Sequence, residues 1–184
     1  MSDKPKNEYI IKLNNVRLSY PQLFEAKAME GESDDKKKFS ASFILDKKTN
    51  AKTIVEIEAT IKTLAVDFIK KKASYKPCLR DGSEKGDKDG YGDEVMFINA
   101  VSKVRPPVVA HDLSPITAED GKIYAGCYVN ATIQLWVQDN KFGKRVNAQL
   151  RAVQFLRDGE SLGGGTPVDV ENEFEAVSST DEDL

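Results

Sequence analysis

Tyr128-Val129-Asn130-Ala131-Thr132-Ile133-Gln134-Leu135-Trp136-Val137 and Arg145-Val146-Asn147-Ala148-Gln149-Leu150-Arg151 decide the architecture. Both stretches alternate apolar and polar residues, the period of a strand with one buried face. Val129, Ala131, Ile133, Leu135 and Val137 fall on one side of the first arm, and Tyr128, Asn130, Thr132, Gln134 and Trp136 on the other. The second arm matches it, with Val146, Ala148 and Leu150 apolar and Arg145, Asn147, Gln149 and Arg151 polar. Partners across a hairpin must share a face, so the expected register sets Val137 against Val146, Trp136 against Asn147, Thr132 against Arg151 and Tyr128 against Phe155.

Working outward, Tyr9 to Tyr20 alternates in the same way with one slip at Asn14-Asn15, the mark of a bulged strand with Ile11, Leu13, Val16 and Leu18 facing the core. Ala28 to Lys38 is charged, lacks apolar anchors and reads as a mobile loop. Phe39 to Leu45 is a second strand, with Phe39, Ala41, Phe43 and Leu45 on one face. From Asn50 to Lys72 the period changes to that of a helix, with Ile54, Ile57, Ile61, Leu64, Ala65 and Phe68 on its inner side. Asn50, or Thr53 with Glu56, can cap its start, and Lys70-Lys71-Lys72 suits the negative end of its dipole. Asp81 to Glu94 holds four glycines and six acids and is expected to form an exposed, flexible loop. Val95 to Val101 is apolar on both faces, as a strand covered on two sides would be. Arg105-Pro106-Pro107-Val108-Val109 is extended, and its prolines exclude it from a central ladder.

Short strands around one helix predict a mainly β fold: an OB-like, curved, five-stranded barrel with an inserted α-helix and long loops. The domain spans residues 1–160, with the helix near 50–72 and the loop near 81–94. Residues 161–184 are expected to form a glycine linker and a disordered acidic tail.

The formal net charge of −3 conceals two blocks of opposite sign. Up to Arg157 basic residues exceed acidic ones by six, whereas Asp158 to Leu184 carries nine acids and no base. A flexible polyanion tethered to a basic body resembles nucleic acid electrostatically and can compete for the same surface. No run approaches the roughly 20 apolar residues of a membrane span, and the N-terminus lacks an apolar signal region, which places the chain in the cytosol. Cys78 and Cys127 are too few and too distant for a disulfide scaffold and read as free thiols, Cys127 buried.

Enzymatic readings lack parts. His111 is the single histidine, beside Asp112 in a proline-flanked loop, with no GxSxG elbow. No GxxxxGK[ST] loop occurs, and Asp87, Asp89 and Asp93 miss calcium-loop spacing. No catalytic residue, metal or cofactor is expected. What the chain does carry is a polar sheet face with Tyr128, Trp136, Phe155, Arg145 and Arg151. Rings stack on any base and cations attract any phosphate, so this mixture suits sequence-tolerant binding of single strands. Packing of Tyr128 and Trp136 against the helix or a second copy explains the rings equally well. Arg17, Lys103 and Arg105 add cations on or next to strands, though a solvated surface accounts for each.

Several stretches together resemble the tailed-phage single-stranded DNA-binding proteins, over about Val16 to Gly165. They are Arg17 to Phe24 (RLSYPQLF), Phe39 to Leu45 (FSASFIL), Leu79 to Gly82 (LRDG), Arg105 to Val109 (RPPVV), Tyr124 to Val129 (YAGCYV) and Asp158 to Glu160 (DGE) before a glycine cluster. The resemblance implies an OB barrel with an inserted helix, preference for single strands, little sequence specificity, and work in phage replication, recombination or repair. It extends the expected DNA contacts to Tyr20, Lys76 and Arg80, giving Arg17, Tyr20, Lys76, Arg80, Lys103, Arg105, Tyr128, Trp136, Arg145 and Arg151. It also implies that the tail docks replication or recombination proteins through Asp181, Glu182, Asp183 and Leu184, although tails in similar proteins often end on an aromatic residue. A homodimer is compatible with this reading. The rival readings are a protein-interaction or assembly module, separated by a gel shift with oligo(dT), and a metal-dependent nuclease or recombinase, separated by a cleavage assay.

Overall fold

Alternation in the long hairpin becomes β7 (Tyr128–Asn140) and β8 (Gly143–Arg157), and the rest of the fold closes around them. The computed structural model describes residues 9–28, 31–69, 74–86, 88–141 and 143–162. Ahead of the hairpin come β1 (Ile10–Lys27), β2 (Lys38–Asp46), α1 (Ala51–Phe68), β3 (Lys76–Pro77), β4 (Leu79–Asp81), β5 (Val95–Ser102) and β6 (Val108–Val109). Strand pairing runs β1–β2–β5–β8–β7 and returns to β1, so five strands close a barrel of the expected OB type. Every barrel pair is antiparallel except β5–β8. The short strands β3, β4 and β6 add to its outside, β3 and β6 along β8 and β4 along β5.

The interior is filled by the residues that the period-two pattern selects. Ile11, Leu13, Val16 and Leu18 of β1 join Ala41, Phe43 and Leu45 of β2 and Val129, Ile133, Leu135, Val146, Ala148 and Leu150 of the hairpin. The β1 slip is a true bulge: pairing with β7 shifts between Leu13 and Val16, and Asn15 takes φ 53°. Ile54, Ile57, Ile61, Leu64 and Ala65 carry the helix onto the same core, against β7, β1 and β8. Cys127 is buried and Cys78 half-buried, both as free thiols.

Several expectations are corrected. Phe68 is 56% exposed because the chain leaves the helix at Ile69, whose extended backbone turns its own side chain into the core instead. Asn50 occupies the N-cap position without capping. Its side chain accepts from the Asp46 amide at 2.9 Å and donates to Asn14 O at 3.0 Å, tying the helix start to the β1 bulge. Thr53 lies inside the helix, so no capping box forms with Glu56. Lys70, Lys71 and Lys72 lie outside the described residues.

The hairpin register holds from Val137↔Val146 and Trp136↔Asn147 as far as Ile133↔Leu150. There β8 inserts Arg151, so Thr132 faces Ala152, and a second irregularity at Leu156 sets Tyr128 against Arg157 rather than Phe155. Each extra residue reverses the alternation beyond it. Phe155 therefore leaves the polar face, packs against the core and lies against His111, centroids 6.1 Å apart.

Asp81 to Glu94 is more ordered than its composition suggests. Gly82–Lys85 forms a 3-10 turn whose first free amide, on Ser83, is accepted by Asp81 at 2.9 Å. Gly82 is obligatory there, since a Cβ would lie 2.3 Å from Gly92 O. The loop covers the outer face of β5 at Phe97, which joins Ile44 and Leu162 in a second, smaller core. Farther along β5, Asn99 and Val101 are exposed, so that strand is covered on both sides only in its first half. Leu162, expected within the linker, is part of the folded body and donates its amide to Ala125 O at 2.9 Å. Gly126 and Gly159 let the chain cross itself there: a Cβ on the first would meet Glu160 O at 2.0 Å, and on the second Gly126 O at 2.2 Å.

Candidate nucleic-acid interface

Three adjoining hollows run along the outside of the barrel, the middle one over the outer face of β2 and β5. The first, about 650 Å³, lies between Lys76, Pro77, Arg80, Asn99, Arg145 and Asn147. Asn99 also borders the second, about 400 Å³, which passes over Ser40, Ser42 and Val101 to Tyr20, Lys36 and Lys38. Tyr20 borders the third as well, with Lys88, Tyr91 and Leu162. The result is one trough with cations at both ends, rings at one, and acids among them: Asp81 and Glu84 in the first hollow, Glu32 in the second and Asp89 in the third.

Local structure explains how the rings are presented. The β1–β2 pairing shifts between Ser19 and Gln22, and Tyr20 takes φ 46°. That left-handed conformation is costly for a side chain this large and recurs at functional positions. It turns the ring outward, 52% exposed, with its centroid 6.5 Å from Tyr91 and 5.5 Å from the Lys88 ammonium. Tyr91 meets Phe97 edge to face at 5.2 Å, and the Arg80 guanidinium and Lys85 ammonium lie 5.2 and 5.4 Å from the Phe97 ring. Cations and rings thus alternate along the loop side of the trough, an arrangement suited to phosphates beside stacked bases.

Ion pairs order the loop beside the trough. Lys47 donates to Asp81 at 2.8 Å and to Asp93 O at 2.6 Å, clasping both ends of the loop. That hydrogen bond, followed by those from Ser83, lowers the Asp81 carboxyl to about 2, so it stays ionised at neutral pH. Arg80 pairs with Glu84 at 2.8 Å in an exposed bridge, one that solvent and a competing phosphate can displace. Cys78 lies in the first hollow, but burial pushes its thiol up to about 12, which keeps it protonated at neutral pH.

The expected contact residues divide. Lys76, Arg80 and Arg145 converge on the first hollow, and Tyr20 joins the second and third. Trp136, 42% exposed, and Arg151 stand on the outer face of the hairpin, where Arg151 donates to Gln134 Oε1 at 3.3 Å. Arg17 is committed to the backbone, donating to Gly126 O and Glu160 O, and with Arg157 it brackets the Tyr128 ring at 5.7 and 4.0 Å. Arg105 donates to Phe24 O, and Lys103 is exposed beyond the end of β5. Lys36, Lys38, Lys88 and Tyr91 join the hollows, and Lys85 the Phe97 ring, without being among the contacts expected from the sequence. Tyr91 had one available signal, as the single ring in a stretch of glycine and charge. The tail residues Asp181, Glu182, Asp183 and Leu184 lie outside the described residues. Among those described, no cluster of His, Cys, Asp or Glu could hold a metal, and no helix is long and apolar enough to cross a membrane.

Known proteins resemble this chain in sequence and in fold. The family model described as Enterobacter phage Enc34, ssDNA-binding protein, matches residues 9–184. Protein p50 of Acyrthosiphon pisum secondary endosymbiont phage 1 is 41% identical over 184 residues, covering 94% of this chain and 96% of that protein. The single-stranded DNA-binding protein from bacteriophage Enc34, solved in complex with ssDNA, superposes with a TM-score of 0.75 at 26% identity, over 88% of this chain and 97% of the other. The gp2.5 single-stranded DNA-binding protein of bacteriophage T7 has a TM-score of 0.57 at 14% identity, over 93% of this chain and 99% of that one, a likeness of fold alone. With a family model spanning the barrel and all that follows it, the chain belongs to the Enc34 phage ssDNA-binding protein family.

Proposed function

We propose that this protein binds single-stranded DNA with little sequence preference, laying the strand along the trough on β2 and β5. The observation that carries the reading is the continuity of that trough from Lys76, Arg80 and Arg145, past Asn99, to Tyr20 and Lys88. The cations neutralise phosphates, whatever the sequence. Tyr20 offers a ring face to a base, and any base can stack on it. Barrels of this type bind oligonucleotides on the face of their second and third strands, which here are β2 and β5. The Enc34 relative solved with ssDNA supports the same ligand. Trp136 and Arg151 extend the contact area beyond Asn147, and Arg17, Lys103, Arg105 and Tyr128 are secondary contributors.

The setting is phage DNA replication, recombination or repair in the host cytoplasm. The acidic tail competes with DNA for the trough and, once displaced, recruits partner proteins through Asp181 to Leu184. Support for the competition is the charge contrast between body and tail, and the position of Leu162 beside Tyr20 and Lys88, from which the remaining chain departs. Fluorescence anisotropy with labelled oligo(dT) and matched duplex, repeated across ionic strength, tests the reading. Single strands should bind more tightly, with log affinity falling by about 0.7 per log salt for each phosphate neutralised. A flat salt response contradicts it. Deleting Asp169 to Leu184 should tighten binding, and unchanged affinity would remove the competition while leaving DNA binding intact.

A further inference from the structure

On the outside of the barrel, Ser19 of β1 and Ser42 of β2 stand directly opposite each other, and both are 3% exposed. Two hydroxyls so buried need partners, since an unsatisfied one costs more than a hydrogen bond gains. Both meet the Tyr91 hydroxyl. Tyr91 donates to Ser19 Oγ at 3.0 Å, and Ser42 Oγ lies 3.1 Å from the same phenol oxygen. The phenol has one proton and gives it to Ser19, so Ser42 is the donor to Tyr91. A cross-strand serine pair thus forms a socket for one tyrosine of the loop.

That tyrosine is also the ring against which Tyr20 leans, and Lys88, over Tyr20, lies three residues before it. The backbone between them is closed by the Tyr91 amide donating to Lys88 O at 3.1 Å. We infer that Tyr91 is a positioning residue for DNA: seated on Ser19 and Ser42, it holds the loop so that the Tyr20 ring and the Lys88 ammonium face the strand together. This rests on the proposed function and adds a residue that the reading does not itself require. Tyr91 touches DNA less than it arranges the groups that do, because its hydroxyl is consumed inside the fold.

The full-length protein and three variants test this: Tyr91→Phe, Ser19→Ala/Ser42→Ala, and the triple variant carrying all three changes. Tyr91→Phe strands two buried serine hydroxyls and should weaken oligo(dT) binding by about five- to tenfold. Amide exchange over residues 82–92 should accelerate without DNA, while the barrel's melting temperature changes little. The serine double variant strands the phenol and should behave similarly. The triple variant, in which every partner is apolar, should reseat the ring and return affinity to within about twofold of the unaltered protein, because replacing all partners removes the desolvation penalty. Wild-type affinity for Tyr91→Phe, or a triple variant as weak as Tyr91→Phe, would overturn the inference; the latter would mean that the hydroxyl contacts DNA directly. If the unaltered protein fails to bind oligo(dT), the proposed function falls and takes this inference with it, an outcome distinct from normal binding that ignores Tyr91.

Discussion

The outer face of β7 and β8 and the outer face of β2 and β5 belong to the same barrel but are built by different means. On the hairpin face β7 is regular from Tyr128 to Val137, its polar side chains alternating outward with Trp136 half in solvent opposite Asn147, although β8 bulges at Arg151 and Leu156. The β2–β5 face is irregular, shaped by a strained Tyr20, a glycine-rich loop folded over Phe97 and a C-terminal strap ending at Leu162. The irregular elements raise walls around the trough, lining it with Tyr20, Lys88, Tyr91 and Leu162. A ligand strand needs walls, and so the face with the less regular sequence is the one proposed as the receptor.

Substitutions on the two faces test this difference. The largest effect should come from the small outer core. Phe97→Ala removes the ring on which Tyr91, Arg80 and Lys85 rest and should cost about 3 to 5 kcal/mol of stability, read by thermal or urea unfolding. A loss below about 1 kcal/mol would mean that the loop covers β5 without supporting it. Next, Tyr20→Ala should lower oligo(dT) affinity by about 1 to 3 kcal/mol if one base stacks there. Trp136→Ala on the hairpin should cost less, under about 1 kcal/mol, in the same titration; an equal or greater loss would make the regular face the principal receptor and invert the comparison.

The smallest effect concerns acid. The Asp81 carboxylate, held by Lys47, is depressed from the ordinary 3.8 to about 2. A lowered carboxyl stabilises the loop fully above its unfolded value and loses that contribution as pH falls through its folded one. Protection of the 81–94 amides should therefore be constant above about pH 4 and decline towards pH 2. In Asp81→Asn this component should be absent. A wild-type decline centred at higher pH would assign it to another carboxyl.

Much of the barrel is legible in the sequence because strand burial writes itself in period two. Ile11, Leu13, Phe43, Ile133 and Leu150 could be assigned inward from alternation alone, and the Asn14-Asn15 slip betrayed its bulge. The Arg151 and Leu156 bulges left no such trace, because Arg151-Ala152 and Phe155-Leu156 read equally well in either phase. The site was legible in part. Lys76, Arg80 and Arg145 converge, but their convergence depends on the parallel placement of β3 beside β8, a long-range pairing that no local pattern encodes. Tyr91 was hidden for a related reason: the loop's composition speaks for solvent, and its order comes from partners such as Lys47, Ser19 and Ser42 that are distant in the chain.

The backbone crossing at Gly126 and Gly159 has a practical consequence for instrumenting the molecule. Because carbonyls there approach within a distance that no side chain could share, the path to Leu162 is fixed. A dye or fusion partner attached just after Leu162 would therefore begin beside Tyr20 and Lys88, not at the far end of the molecule. Such a label should report strand arrival directly, and a bulky cargo placed there should be avoided when unimpeded access is wanted.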